Sequence, residues 1–508
     1  PLTPSSTHHY YSCYFGPQKF LLLYSGLTRP QLISLHMNCL SSQRLHTAPI
    51  LILKLILFLP KIWSSRGMSI VRSLSSFAGI GVTSILPCGH DVFLNDGNIR
   101  NPYDVDKDNR LSFYVGTKRG KMKKITMITK RKVHDDDDDD DDIQIECIER
   151  MEEDGGSKRK TPYPIFSLMS LPIHHPHHHH VLSGSGDRYI TIWEQDKQKH
   201  PNDGVSLWRT KAKLGPHTGW VKDLASSLSN PKRNDQDNEE NFIFSIGCNC
   251  IEVWRTINGE SYDHIHKLMI DSSVEMGSTL SSDILCLATS PSCNCNTPQT
   301  SEQEKQQDHH SYYLLAGGVD GRIHQWTICN NSFPDAKGKY APGHDGRVNA
   351  LLVCDDLRAA VSIGNDGLVK CWKLDCNESF MMERGSVCSI NVNDECHSVQ
   401  DTCTQEAKTQ EVSTIKLTCS CILFEQQDRA IIGIGTACGK VLLAEISRDE
   451  KSDDVMSIGL LDEMTTVESS SDSIGGCNIH SMASQNNHII IGHSKGISIW
   501  EPDLHTIR

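Results

Sequence analysis

The chain has 508 residues, 38% of them hydrophobic and 22% charged, with a formal net charge of −13. That apolar share is below the roughly 45–50% (glycine included) of ordinary globular domains, so part of the chain is expected outside any core. Eight of the acids form one run at 135–142, leaving the rest only mildly acidic, which argues against a surface built to coat nucleic acid.

In chain order, the first segment is residues 1–68. It has no acid before Asp91 and carries Lys19, Arg29, Arg44, Lys54, Lys61 and Arg66. The apolar run 50–59 is shorter than the roughly 20 residues that span a bilayer. A leader without a core is expected, disordered, and either a targeting segment or upstream sequence translated ahead of Met68. Residues 69–77 then alternate as a strand.

From there a pattern recurs: apolar residues, a small-residue turn, and an alternating strand closed by Trp. It reads VLSGSGDRYITIW at 181–193, FIFSIGCNCIEVW at 242–254, LLAGGVDGRIHQW at 314–326, AVSIGNDGLVKCW at 360–372 and IIIGHSKGISIW at 489–500. Two copies lack the Trp: 113–125 ends in Ile125 and 431–444 in Ala444. Each reads as a hairpin with period-2 alternation about a turn of Gly, Asp or Asn. A short apolar strand precedes each, at 82–86, 165–169, 221–225, 284–288, 348–352, 415–419 and 479–482.

The repeats resemble the WD40 family. His344, Ser362, Asp366 and Trp372 stand at that family's four hydrogen-bonding positions. Ser183, Asp187 and Trp193 match three of them, as do His217, Ser245 and Trp254, with Asn249 at the Asp position. The Trp is never followed by Asp. The resemblance covers about 69–503 and implies an all-β, seven-bladed propeller with long polar insertions. The blades are expected near 82–126, 164–194, 217–256, 283–328, 343–374, 412–446 and 476–500. The last is closed by the strand at 69–77, and 504–508 is a tail.

Seven repeats of about 43 residues need only roughly 300, and the surplus is polar. Residues 130–160, 229–241, 290–311, 375–411 and 447–473 are read as surface loops. The Asp run lacks the spaced ligands of a calcium loop. The His tract at 174–180 has no carboxylate or Cys at a set spacing to complete a metal site. The cysteines, 20 in all, contain no C-x-x-C pair and read as free thiols of a reducing compartment. The basic stretch Lys118 to Lys132 is an exposed strand or a nuclear address. Hydrolase elbows, Walker loops and H-E-x-x-H are absent, and no enzyme, cofactor or metal is expected.

The resemblance places one residue per blade, just before its first strand, around the central opening. Those positions are Gly81, Pro164, Trp220, Asp283, Arg347, Thr414 and Asn478. The turn residues Lys118, Arg119, Arg188, Arg322 and Lys495 are expected on the same face. Trp and Arg are common interface anchors, so the top face is expected to bind an acidic or phosphorylated peptide or protein. A competing reading packs Trp220 beneath the third-blade loop. The function implied is a non-catalytic scaffold, monomeric within a larger complex, in cytoplasm or nucleus, or in an organelle if the leader is genuine. Nucleic-acid and membrane partners are not expected. The alternatives are a ubiquitin-ligase substrate receptor, although no repeat carries Trp-Asp-x-Arg, and an RNA-linked or nuclear assembly factor.

Overall fold

A strand that alternates apolar and polar residues has one side to hide, and a sheet of such strands has a face to cover. In the computed structural model the described residues are 10–15, 18–23, 68–74, 81–88, 109–130, 142–151, 163–171, 180–196, 207–227, 240–257, 259–270, 283–290, 293–294, 310–329, 333, 339–374, 386–393, 415–448, 456–465, 477–486 and 488–502. The chain divides into two units, Pro1–Ser64 and Ser65–Arg508. In the first, Tyr10–Phe15 and Gln18–Leu23 pair as an antiparallel hairpin. Of the other residues read as a disordered leader, Met68 opens a strand of the second unit and the rest lie outside the described residues, as do 131–141 of the Asp-run segment and 172–179 of the His tract.

The second unit is a seven-bladed β-propeller. Blade 1 comprises Val82–Pro87, Asn109–Thr117, Met122–Lys130 and Asp142–Met151. Blade 2 comprises Ile165–Leu171, His180–Ser185, Ile190–Asp196 and Leu207–Leu214. Blade 3 runs from Leu224–Ser226 through Glu240–Ile246 and Cys250–Ile257 to Ser261–Met269. Blade 4 holds Ile284–Thr289, His310–Gly318, Arg322–Cys329 and Lys339–Pro342, with Cys293–Asn294 as an extra short pairing. Blade 5 holds Val348–Cys354, Ala359–Gly364, Leu368–Lys373 and Cys388–Asn391. Blade 6 holds Leu417–Glu425, Arg429–Thr436, Lys440–Arg448 and Met456–Thr465. Blade 7 takes Ile479–Gln485, His488–His493 and Gly496–Pro502 from the end of the chain and Met68–Leu74 from its early part. Strands are counted below from the axis outward.

Burial follows the seams between blades. Among the described residues there are seven clusters of buried apolar side chains, and each joins two consecutive blades, including blade 7 to blade 1. Phe113, Ile125, Ile490 and Ile499, for example, share the closing seam. The first strands touch one another in a closed cycle. Asp223 adds a polar link: its carboxylate accepts the N–H of Leu224 at 2.9 Å and of Leu287, in the next blade, at 2.8 Å. Burial raises its pKa to about 6.

The loop reading is corrected in three places. Asp142–Met151, Cys388–Asn391 and Met456–Thr465 are fourth strands, not loop. The cause is exposure: a fourth strand covers only one neighbour, so its sequence keeps polar residues that resemble insertion. Met456–Thr465 shows it, with only Met456 fully buried among its described side chains. The blades therefore extend beyond their repeat copies, blade 1 to Met151 and blade 2 to Leu214.

Because Met68–Leu74 is the fourth strand of blade 7, truncation has a sharp threshold. A chain beginning at Met68 is expected to unfold at the same temperature as the full chain. One beginning after Leu74 is expected to lose more than about 10 °C in Tm, measured by circular dichroism.

Candidate functional site

The turn between the second and third strands and the approach to the first strand meet at one end of every blade. The link is a backbone hydrogen bond that recurs in six blades. The N–H groups of Lys118, Gly186, Val319, Asn365, Ala437 and Ser494 donate to the carbonyls of Gly81, Pro164, Asp283, Arg347, Lys416 and Asn478, at 3.0, 3.0, 2.8, 2.8, 2.9 and 3.1 Å. Strand register puts Trp220 at the same position in blade 3, because Leu224 faces Ser245 as Leu351 faces Ser362. Rim residues and turn residues thus share one face. In blade 6 the rim residue is Lys416; Thr414 lies outside the described residues. The strand there begins at Leu417, two positions after the Ile415 that its apolar character suggested.

Behind the rim, blade 5 holds a complete polar relay. Trp372 Nε1 donates to Ser362 Oγ at 2.8 Å, Ser362 Oγ lies 2.8 Å from His344 Nε2, and His344 Nδ1 lies 3.0 Å from Asp366 Oδ1. A neutral imidazole protonated on Nδ1 satisfies the whole chain. Ser362 is fully buried and His344 is 7% exposed, so the trio ties strands together within the blade. Blade 3 lacks the acid. There His217 Nδ1 turns to the carbonyl of Arg188 at 3.1 Å, while Nε2 meets Ser245 Oγ at 2.7 Å. Blade 2 keeps Trp193 Nε1 to Ser183 Oγ at 2.9 Å, and Asp187 Oδ1 caps its own turn through the N–H of Tyr189.

The family model described as WD domain, G-beta repeat matches residues 163–194, the first three strands of blade 2. Blade 2 thus carries a WD40 repeat by its sequence. No curated protein sequence matches it. Among solved structures it is similar to U3-55K, at 12% identity and a TM-score of 0.47 over 86% of this chain and 99% of that one. The RRP9 WD40 repeats match at 12% identity and a TM-score of 0.46, over 86% of this chain and 98% of that one. Raptor from Chaetomium thermophilum matches at 12% identity and a TM-score of 0.45, over 84% of this chain and 28% of that one.

On this propeller rim the expected residues have different surroundings. Trp220 is 55% exposed and stacks on Phe166 of blade 2, with ring centroids 5.5 Å apart and planes at 21°. The third-blade loop beneath which the competing reading packs it lies, over 228–239, outside the described residues. Arg347, Lys118 and Arg188 are exposed. Arg188 adopts φ +73°, and its carbonyl, holding the His217 N–H as well as Nδ1, fixes that turn. Asp283 pairs with Lys222 at 3.8 Å. Arg322 is drawn away: its Nε lies 3.6 Å from Asp320 and its guanidinium sits 4.4 Å from the centre of the Tyr340 ring. Asn478 Oδ1 is buried with no partner among the described residues.

Phe166 escaped sequence reading, which counted it as one more apolar strand residue. The signal lies in register. Phe166 follows the first residue of its strand, where other blades place Thr83, Lys222, Leu285, Asn349, Thr418 and His480. No other blade places Phe, Tyr or Trp there, and five of the other six place a polar or charged residue. Tyr163, 45% exposed, precedes Pro164 on the same blade. Among the described residues no group of His, Cys, Asp and Glu is placed to hold a metal ion, the eleven cysteines whose side chains are described are free, and no helix is long and apolar enough to cross a membrane. His180, the last of the His tract, is buried and joins blades 2 and 3 through Tyr262, whose hydroxyl lies 3.1 Å from its Nδ1.

Two predictions follow from the relay. Ser362→Ala leaves Trp372 Nε1 and His344 Nε2 unpaired in a dry site and is expected to cost about 2–3 kcal/mol in urea unfolding. Blade 4 already carries that defect, since Ala316 stands at the Ser position and Trp326 Nε1 has no partner. Ala316→Ser is therefore expected to gain about 0.5–1 kcal/mol. The second concerns pH. His217, His324, His344, His480 and His493 are all held below the usual imidazole value, with burial the largest cause, and His324 and His480 fall to about 4. The unfolded chain then binds more protons below about pH 6.5, so this stability is complete above that pH and is lost as pH falls toward about 4. His324→Gln is expected to gain about 2 kcal/mol relative to the parent chain between pH ~7.5 and ~5, by urea titration at both.

Proposed function

We propose that this protein is a non-catalytic interaction scaffold that binds an acidic or phosphorylated peptide of a protein partner on the rim face. The observation that carries this reading is the Phe166–Trp220 pair, an aromatic platform left 55% open at Trp220 on a rim that also presents Lys118, Arg188 and Arg347. Aromatic rings held by stacking lose little conformational freedom on binding, and arginines beside them pair with carboxylate or phosphate. The buried His–Ser–Asp relay supports a structural role for the residues that most resemble a catalytic set. The free cysteines favour a reducing compartment, cytoplasm or nucleus.

The test is a pull-down of the full chain, tagged at its C-terminus, from its own cells beside Trp220→Ala/Arg347→Ala. A partner identified by mass spectrometry, reproducible with the parent chain and reduced at least about tenfold by the exposed-residue substitutions, is the expected result, with circular dichroism unchanged. A partner that survives both substitutions moves the site off the rim.

A further inference from the structure

The turns on the rim face carry a charge reversal confined to two adjacent blades. Counted from strand register, the position of Asp366 in blade 5 is held by Asp187, Asn249 and Asp320 in blades 2, 3 and 4, and by Cys438 in blade 6. In blades 7 and 1 it is held by Lys495 and Arg119. The acids have a local task. Asp187, Asp320 and Asp366 each accept, through Oδ1, the N–H two residues on, at 3.0, 3.1 and 3.1 Å. A lysine or arginine cannot perform it, so the two cations are not weaker versions of the same turn.

The surroundings reinforce the reversal. Lys118, Arg119, Lys121 and Lys495 are exposed, and so is Lys416 on the rim of blade 6. Among the described residues, the rims and turns of blades 6, 7 and 1 contain no Asp or Glu. Lys118 is laid over Gly81: a Cβ there would come within 2.9 Å of Lys118 Cδ, and Gly81 adopts φ +66°, so a side chain would obstruct it on both counts. Inside this corner, His480 Nε2 and Asn478 Oδ1 are buried without a partner among the described residues. His493, by contrast, is engaged: its Nε2 meets Ser498 Oγ at 3.0 Å and its Nδ1 accepts the N–H of Lys495 at 3.2 Å.

We propose that Lys118, Arg119, Asn478, His480 and Lys495 form a subsite on blades 7 and 1 for the phosphate of a phosphorylated serine or threonine in a protein partner. It rests on the rim-face reading above and assigns the phosphate to one sector of it. The crowded cations favour a dianion. Asn478, with its amide turned to present Nδ2, becomes a donor. The imidazole of His480 is kept neutral by burial, with Lys118 and His493 adding to the effect, and no described carboxylate packs against it from blades 1, 6 or 7. An arriving dianion reverses that balance, so the ring takes up a proton as it binds. A nucleic-acid strand is the poorer fit. Beyond blades 6, 7 and 1 the rim-face cations alternate with acids, Arg188 following Asp187, Arg322 lying on Asp320 and Arg347 following the exposed Asp345 by two positions.

The test uses the full chain and two fluorescein-labelled degenerate heptapeptide mixtures, one with central phosphothreonine and one with threonine, followed by polarisation. The phosphorylated mixture is expected to bind at least about tenfold more tightly. Lys118→Glu/Lys495→Glu is expected to erase that preference without changing the unfolding midpoint, since both side chains are exposed. Trp220→Ala is expected to weaken both mixtures and keep their ratio. Sulfate, which does not titrate in this range, is expected to bind about threefold more tightly at pH ~6 than at pH ~7.5 by calorimetry, and His480→Gln to abolish that gain. Equal binding of the two mixtures overturns the subsite; if Trp220→Ala still weakens both, the rim-face reading stands without it. A phosphate preference indifferent to Trp220→Ala leaves the subsite and overturns the aromatic anchor. A single-stranded uridine oligonucleotide bound as tightly as the phosphopeptides, and lost in the double variant, assigns the cations to nucleic acid and overturns the proposal.

Discussion

A four-stranded blade has two apolar faces and only its neighbours to bury them against. That constraint governs this molecule. Each of the seven core clusters spans a seam, so no blade owns a core, and removing one blade strips two seams at once. The ring must close for the first seam to exist, and it closes by borrowing Met68–Leu74 from the far end of the sequence for blade 7. Backbone pairing provides the clasp, and the Phe113–Ile499 cluster provides the apolar area beneath it.

Once the seams set the blades, the rim follows. The carbonyl of the rim residue is held by the turn of its own blade in six cases, and this bond is indifferent to the side chain. The same position therefore accepts Gly81, Pro164, Asp283, Arg347, Lys416 and Asn478 without changing the backbone path. Position is guaranteed by the scaffold, and chemistry is left open. That division suits a recognition surface, because rigid placement lowers the ordering cost of binding.

Much of this was legible in the sequence because it rests on local patterns. The period-2 hairpins closed by Trp193, Trp254, Trp326, Trp372 and Trp500 announce a repeated sheet, and seven copies announce a ring. What was not legible depends on who covers whom. Met456–Thr465 reads as loop because one side of it meets water. Lys416 was missed because Ile415, apolar but outside the strand, looked like its start. Arg322 looked available until Asp320 and Tyr340 were seen beside it. Phe166 and Trp220 belong to different blades, 54 positions apart, and only the seam between blades 2 and 3 stacks them.

The incomplete repeats carry their own information. A serine, a tryptophan and an acid recur where they tie strands together, and the full relay with histidine survives only in blade 5 among the described residues. Blade 4 tolerates Ala316 beneath an unpaired Trp326, a loss of about a kcal/mol that the two flanking seams absorb. Blades 7 and 1 go further, exchanging the turn acid for Lys495 and Arg119. In a ring held by its seams, a turn can give up its own capping bond and still stay in register. Blades 7 and 1, on either side of the closing seam, are the two that use this freedom to put a cation where the turn acid stood.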